Sequence, residues 1–176
     1  MDKYPLLPEG EWPEIRKVKA SNKTGWSYFE NLVKTLHQEL GEEKTVEVLE
    51  VFMRANAKRF VVPAMKAFGL EGKDAWSLAS YFKLATGDII GYKAELSRPE
   101  PNVVSYRLYP PCLWFPNLDI PPSFCQALGC FEKEATRIVN PNIQIEHTKL
   151  MTAGDPYCEI LFIEKDPSAI HGQQVK

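Results

Sequence analysis

From Trp26 onward the chain repeats apolar residues at helical spacing, with Phe29, Leu32, Val33, Leu36 and Leu40 on one face before Gly41. A 3.6-residue period ended by glycine predicts an amphipathic helix. Glu42 and Glu43 then place acids where a new helix would start, which suits the macrodipole, and Val48, Leu49, Phe52, Ala55 and Phe60 carry the period on until Pro63 interrupts it. A short helical turn is expected over 64–68. Asp74 is the expected N-cap of a third long helix, DAWSLASYFKLATG, which packs Trp76, Ala79, Phe82 and Leu84 or Ala85 and ends at Gly87.

The period then changes from helical to alternating. IIGYKAEL and VVSYRLY, separated by RPEPN, predict an antiparallel strand pair within 89–109, followed by an irregular proline-rich segment, PPCLWFPNLDIPP. Ser123 with Gln126 has capping-box spacing, and Phe124, Leu128, Phe131, Ala135 and Ile138 form one stripe of a helix closed by NPN. IQIEHTKL and YCEILFI complete the pattern as two strands joined by the turn TAGDP. The expected fold is α+β, with N-terminal helices packed on a four-stranded antiparallel sheet in the order αααββαββ. Residues 1–24 read as an irregular arm, 25–165 as a single domain and 166–176 as a flexible tail.

Composition narrows the function classes. With 176 residues, 44% hydrophobic and 25% charged, the chain can bury a real core, and a net charge of -2 spread along it offers no footprint for nucleic acid. No run approaches the ~18 apolar residues of a membrane helix, and the charged, proline-broken start lacks the apolar segment of a signal peptide. Neither a nucleic-acid nor a membrane partner is expected, and the expected compartment is the cytoplasm. There the four cysteines, Cys112, Cys125, Cys130 and Cys158, read as buried thiols, metal ligands or a reactive group rather than disulfides.

Each of these groups can be weighed by position. Cys125 lies in the first turn of its predicted helix, where unpaired N–H groups favour a thiolate; the competing reading is a plain core thiol. At 100° per residue Cys130 projects about 140° away from Cys125 while Glu132 falls nearly above it, so Cys125 and Glu132 make the better local pair. Cys158 shares an inward strand face with Ile160 and Phe162, which burial alone explains as well as function does. His147, on the inward face with Ile143 and Ile145, is the candidate general base, although a histidine there is more often a hydrogen-bonded core residue. A regular hairpin closed at 153–156 would set His147 opposite Phe162, about 13 Å along the strand from Cys158, and only a bulge would bring the two together. Zinc held by the cysteines and His147 is a further reading, weakened by the lack of a CxxC knuckle. Trp26, Trp76, Trp114 and Tyr157 are candidates to line a pocket for a ring-shaped ligand.

The run GEEKTVEVLEVF, then PPCLW, then SFCQALGCFEKEATRIVNPNIQIEHTKLMTAGDPYCEILF resembles the L-2-amino-thiazoline-4-carboxylic acid hydrolase-like family over roughly residues 26–164. The order of elements also resembles the wider 4-vinyl reductase-type domain, a small-molecule-binding module shared with nitric-oxide sensors and vesicle-tethering subunits. The nearer resemblance implies hydrolytic opening of a cyclic amidine-like compound. It also implies a cysteine at Cys112 and a Gly-Asp-x-x-Cys signature that sets Asp155 and Cys158 at one end of the sheet.

Two functions are therefore expected as alternatives. The first is a cofactor-independent hydrolase of a C–N bond in a small cyclic amidine-like or amide-like compound. In it Cys125 or Cys158 supplies nucleophile or acid, Asp155 or Glu132 handles the proton, Cys112 and His147 are further catalytic candidates, and Trp26, Trp114 and Tyr157 bind substrate. The second is a non-catalytic small-molecule-binding or sensing subunit whose cysteines pack or hold a structural metal. A homodimer is expected from the arm and the aromatic content.

Overall fold

The computed structural model describes residues 14–89, 92–112 and 114–165, and among them no helix is long and apolar enough to cross a membrane. Helix α1 (Glu14–Ala67) is two segments joined at Gly41, whose φ of 77° and ψ of 174° break the helical ladder. A side chain would be strained there, so glycine ends one segment, and the Thr45 hydroxyl, donating to the Gly41 carbonyl at 2.7 Å, anchors the start of the next.

These segments answer to the first two helices expected, with three corrections. Helix α1 begins at Glu14, inside the stretch read as an irregular arm; residues 1–13 of that arm and the tail from 166 lie outside the described residues. Pro63 does not end the second segment, because Arg59, whose carbonyl loses its amide partner, is exposed and water can serve it. The buried face is Thr45, Leu49, Met53, Ala57, Val61 and Met65, every fourth residue and none more than 5% exposed, whereas Val48, Phe52 and Phe60 face outward.

Helix α2 (Ala75–Phe82) starts as expected at Asp74, whose carboxylate accepts from the Ser77 amide at 2.9 Å. Its last turn widens into a π-helical turn, Lys83–Asp88. Trp76, expected inward, is 40% exposed and lies against the Arg98 guanidinium, 5.3 Å from the ring centre. Strands β1 (Ala94–Glu100) and β2 (Val103–Leu108) follow.

The single helix expected from Ser123 is two: α3 (Pro122–Leu128) and α4 (Cys130–Val139), meeting at Gly129. Ser123 does not cap it, since the cap is Pro121 and the Ser123 hydroxyl donates instead to Glu42 at 2.6 Å. Strands β3 (Ile143–Lys149) and β4 (Cys158–Glu164) close an antiparallel sheet ordered β1-β2-β4-β3. The fold is α+β: α2 and α4 lie on one face of this sheet, and α1 runs across α3 and α4.

Between β3 and β4 the register differs from a regular hairpin by two residues. His147 pairs with Ile160 rather than Phe162, and a bulge between His147 and Lys149 shifts the ladder once more. The connection is longer than expected, a 3-10 turn over Met151–Ala153 closed by Gly154 with φ of 94°. His147 thereby comes within two strand positions of Cys158, about 7 Å along the strand instead of 13.

Two apolar clusters form the core. One joins Ala57, Val61 and α2 to Val104, Tyr106, Ile160 and Phe162 of the sheet; the other joins Val33, Leu49 and Met53 to Phe115, Phe124 and Leu128. Phe131 packs against both. Each fully buried phenylalanine contributes about 2 kcal/mol relative to exposure.

The outer sheet face carries a polar cluster around Glu159, only 8% exposed, which accepts from Ser105 at 2.9 Å, Arg107 at 2.6 Å and Thr148 at 2.7 Å. Burial pushes its carboxyl up, but these hydrogen bonds outweigh burial and hold it below the usual glutamate value. Its stabilising contribution is thus present above the unfolded value of about 4.3 and is lost as pH falls through the lower folded value. Replacing Glu159 by alanine is expected to cost about 2 kcal/mol in urea unfolding at neutral pH, because Ser105 and Thr148 lose their acceptor. The deficit should shrink as the measurement is repeated at progressively more acid pH.

Candidate functional site

The seam between the two clusters is not filled. It holds a cavity of about 590 Å³. Helix α1 contributes Trp26, Phe29, Phe52 and Met53; α2 and its π-turn contribute Tyr81, Phe82, Ala85 and Thr86. A π-turn inserts one residue into the helical ladder and re-aims the side chains beyond it, which here turns Ala85 and Thr86 toward the cavity. Tyr106 and Leu108 of β2, Trp114, and Leu128, Phe131 and Glu132 complete the wall.

Its aromatic side is tightly built. Trp26 meets Trp114 edge-on at 4.2 Å between centroids, and Phe29 meets Trp114 at 5.0 Å and Phe52 at 6.0 Å. On the other side Thr86 donates to the Phe82 carbonyl at 2.7 Å and pairs with the Tyr106 hydroxyl. Two buried polar atoms of the wall have no hydrogen-bond partner among the described residues: the indole nitrogen of Trp26 and Oε2 of Glu132. Buried polar atoms are nearly always satisfied, so such orphans call for an explanation.

A second, smaller cavity of about 80 Å³ adjoins the first, sharing Leu108, Trp114, Leu128 and Glu132. Cys112, Cys125, Cys158 and His147 converge on it with Glu132. Each arrives from a different element: the segment after β2, helix α3, the first residue of β4, and β3. Cys130 is absent from both walls; its sulfur accepts from Arg54 at 3.6 Å, on the flank where helical projection puts it.

Burial dominates the electrostatics here. It pushes the Cys125 thiol up to about 12, and Cys112 and Cys158 upward as well, so the expected depression of Cys125 at a helix start does not occur. Helix α3 is short, and among the described residues no lysine or arginine lines the cavity that the thiols share. Burial, then Lys133, lowers His147 to about 4, leaving a neutral imidazole. Burial raises Glu132 to about 7 and, with a smaller effect of Glu132 itself, raises Tyr81 to about 12. Glu132 keeps some accessible surface as a residue, yet its Oε2 has none.

The remaining candidates lie elsewhere. Asp155 lines neither cavity; its carboxylate accepts from the Leu150 amide at 2.8 Å and closes the turn before β4. Tyr157 sits on the outer sheet face, where Lys149 donates to its hydroxyl at 2.6 Å and lies 4.4 Å from its ring centre. Trp26 and Trp114 do line the large cavity. Sequence pattern alone does not single out Tyr106 and Thr86, although a tyrosine on the inward face of a strand signals a hydroxyl that needs a buried partner. Among the described residues no group of three or more His, Cys, Asp and Glu side chains is arranged to hold a metal ion, so the zinc reading finds no site there.

Glu132 should be costly to the fold. With its folded value raised from 4.5 to about 7, its contribution is intact below pH 4.5 and is lost as pH rises through 7. Glu132→Gln is therefore expected to leave stability nearly unchanged at pH 4 and to raise it by about 3 kcal/mol at pH 8, read from denaturant unfolding at the two pH values.

No protein-family model matches the chain, and no curated protein matches it. Solved structures do. A trafficking protein particle complex subunit 3 from Naegleria fowleri, covalently bound to palmitic acid, superposes with a TM-score of 0.57 at 16% identity, over 84% of this chain and 97% of that one. An H-NOX protein from S. oneidensis in the Fe(II)NO ligation state superposes with a TM-score of 0.52 at 13% identity, over 94% of this chain and 83% of that one. The chain shares its fold with these proteins.

Proposed function

We propose that the protein binds a compact, mainly apolar small molecule in the large cavity, with one polar group of the ligand set against Glu132. The observation that carries this is the 590 Å³ apolar cavity whose wall holds a buried carboxyl oxygen with no partner among the described residues. Volume and lining fall in the range of ordinary ligand sites, apolar for most of their surface with a few convergent polar groups. A carboxyl kept at such cost is better explained by a ligand than by packing. The two proteins of like fold are described with small ligands, palmitic acid in one and nitric oxide on iron in the other, which agrees with a fold that houses them.

A second reading, hydrolysis of a C–N bond, is favoured by one specific feature. Glu132 near 7 and neutral His147 face the same small cavity, and a carboxyl poised there can take a proton from water and return it to a leaving nitrogen. Thiols as well buried as Cys125 are protonated at neutral pH, so in this reading the proton-transfer pair, not a cysteine, carries the chemistry.

Binding is tested with the fluorescent apolar probe N-phenyl-1-naphthylamine. The wild-type protein should bind it, and Ala85→Phe, which fills the cavity, should weaken binding at least tenfold while the melting temperature holds. Equal affinity in Ala85→Phe, or no binding by the wild type, would place the ligand elsewhere. Turnover of small cyclic amides or amidines that disappears in Glu132→Gln would favour the second reading.

A further inference from the structure

The wall of the large cavity is unbalanced in charge. Glu132 is its one acid among the described residues, and no lysine, arginine or histidine lines it there. Oε2 of that carboxyl is buried and has no hydrogen-bond partner among the described residues. Around it the wall is built of rings: eight of its residues are aromatic, with Trp26 and Trp114 in edge-on contact. A ring presents a negative face, so such a wall attracts a cation and offers an anion little.

Nothing nearby serves as a counter-ion. Lys133 follows Glu132 on α4 but is exposed, and burial outweighs its pull on the carboxyl. From α1, Arg54 and Lys58 reach α4 at Cys130 and Glu134 instead. The other titratable residues described on the two cavity walls are neutral near pH 7. Burial keeps Tyr81, Tyr92 and Tyr106 protonated, and a hydrogen bond to Glu95 does the same for Tyr109. Burial likewise leaves Cys112, Cys125 and Cys158 as thiols and, with Lys133, His147 as neutral imidazole. Once ionised, Glu132 is a negative charge without a partner in apolar surroundings, which is the costly arrangement.

Taking the cavity as the ligand site argued above, we propose that its ligand is an amine, with a protonated nitrogen set against Glu132 and an apolar body lying among the aromatic rings. A protonated amine donates to Oε2 and cancels the charge in one contact. An alcohol supplies the hydrogen bond but leaves the charge, and a carboxylate adds a second negative group with no cation between the two. Because Oε2 needs a donor, the nitrogen keeps at least one N–H, which separates this ligand from a quaternary ammonium.

Isothermal titration calorimetry of the full chain with three probes of one shape tests the proposal: 1-naphthylmethylamine, 1-naphthalenemethanol and 1-naphthoate. At pH 8 the amine should bind at least about tenfold more tightly than the alcohol, and naphthoate most weakly. The Glu132 carboxyl titrates near 7, and below that value a proton takes the place of the amine. The amine itself stays charged, so its affinity should fall at least about tenfold between pH 8 and pH 5, and the alcohol's should change little. Glu132→Gln should bring the amine-to-alcohol ratio at pH 8 close to one. Equal binding of amine and alcohol by the wild type, a preference that persists in Glu132→Gln, or tighter binding of naphthoate would overturn the assignment of an amine. If Ala85→Phe still weakens N-phenyl-1-naphthylamine in that event, the cavity remains a ligand site for another class of molecule. A wild type that binds neither that probe nor the amine would overturn the site and the amine together.

Discussion

The contact between Gly129 and His147 sets much of this structure. A β-carbon at Gly129 would come within 2.7 Å of the imidazole, so a glycine there leaves the ring its place against the helical layer. The same residue divides what would have been one helix into α3 and α4. Helix α3 then places Cys125 at the small cavity, and α4 places Glu132 on the wall between both cavities. Shape and chemistry therefore meet at one glycine.

Much of the fold is legible in the sequence because its elements differ in period. The strands, the Asp74 cap and the break at Gly41 all follow from local pattern. Where pattern and structure part, the causes are physical. Helix α1 carries apolar residues on two sides, and a 3.6-residue period cannot say which side faces in; it points to Val48 and Phe52 as core, and Met53 and Ala57 hold that place. The register of β3 on β4 depends on how many residues the turn absorbs. That number is set by Gly154 and by the Asp155 carboxylate closing the loop, not by strand alternation.

The site is legible in part for similar reasons. Helical projection alone pairs Cys125 with Glu132 and separates Cys130, and this geometry survives the division of the helix, where Gly129 keeps right-handed backbone angles of −59° and −9°. Asp155 and Tyr157 stand beside Cys158 in sequence, yet neither lines the cavity that Cys158 lines. Neighbours on a strand point to opposite faces, and a turn carboxylate tends to satisfy backbone amides first. Tyr157 accordingly belongs to the outer face with Arg107 and Lys149. The large cavity is beyond local reasoning altogether, because it exists only where two clusters built from distant segments fail to merge.

Gly41 gives that cavity a jointed wall. Trp26 and Phe29 stand on one side of the break, Phe52 and Met53 on the other, and the helical backbone is interrupted between the two arms. A change of angle at one residue alters the spacing of the aromatic rings while each arm keeps its own ladder. The relative placing of the two aromatic groups is thus set by the backbone angles of one residue, at a φ that only glycine adopts without strain.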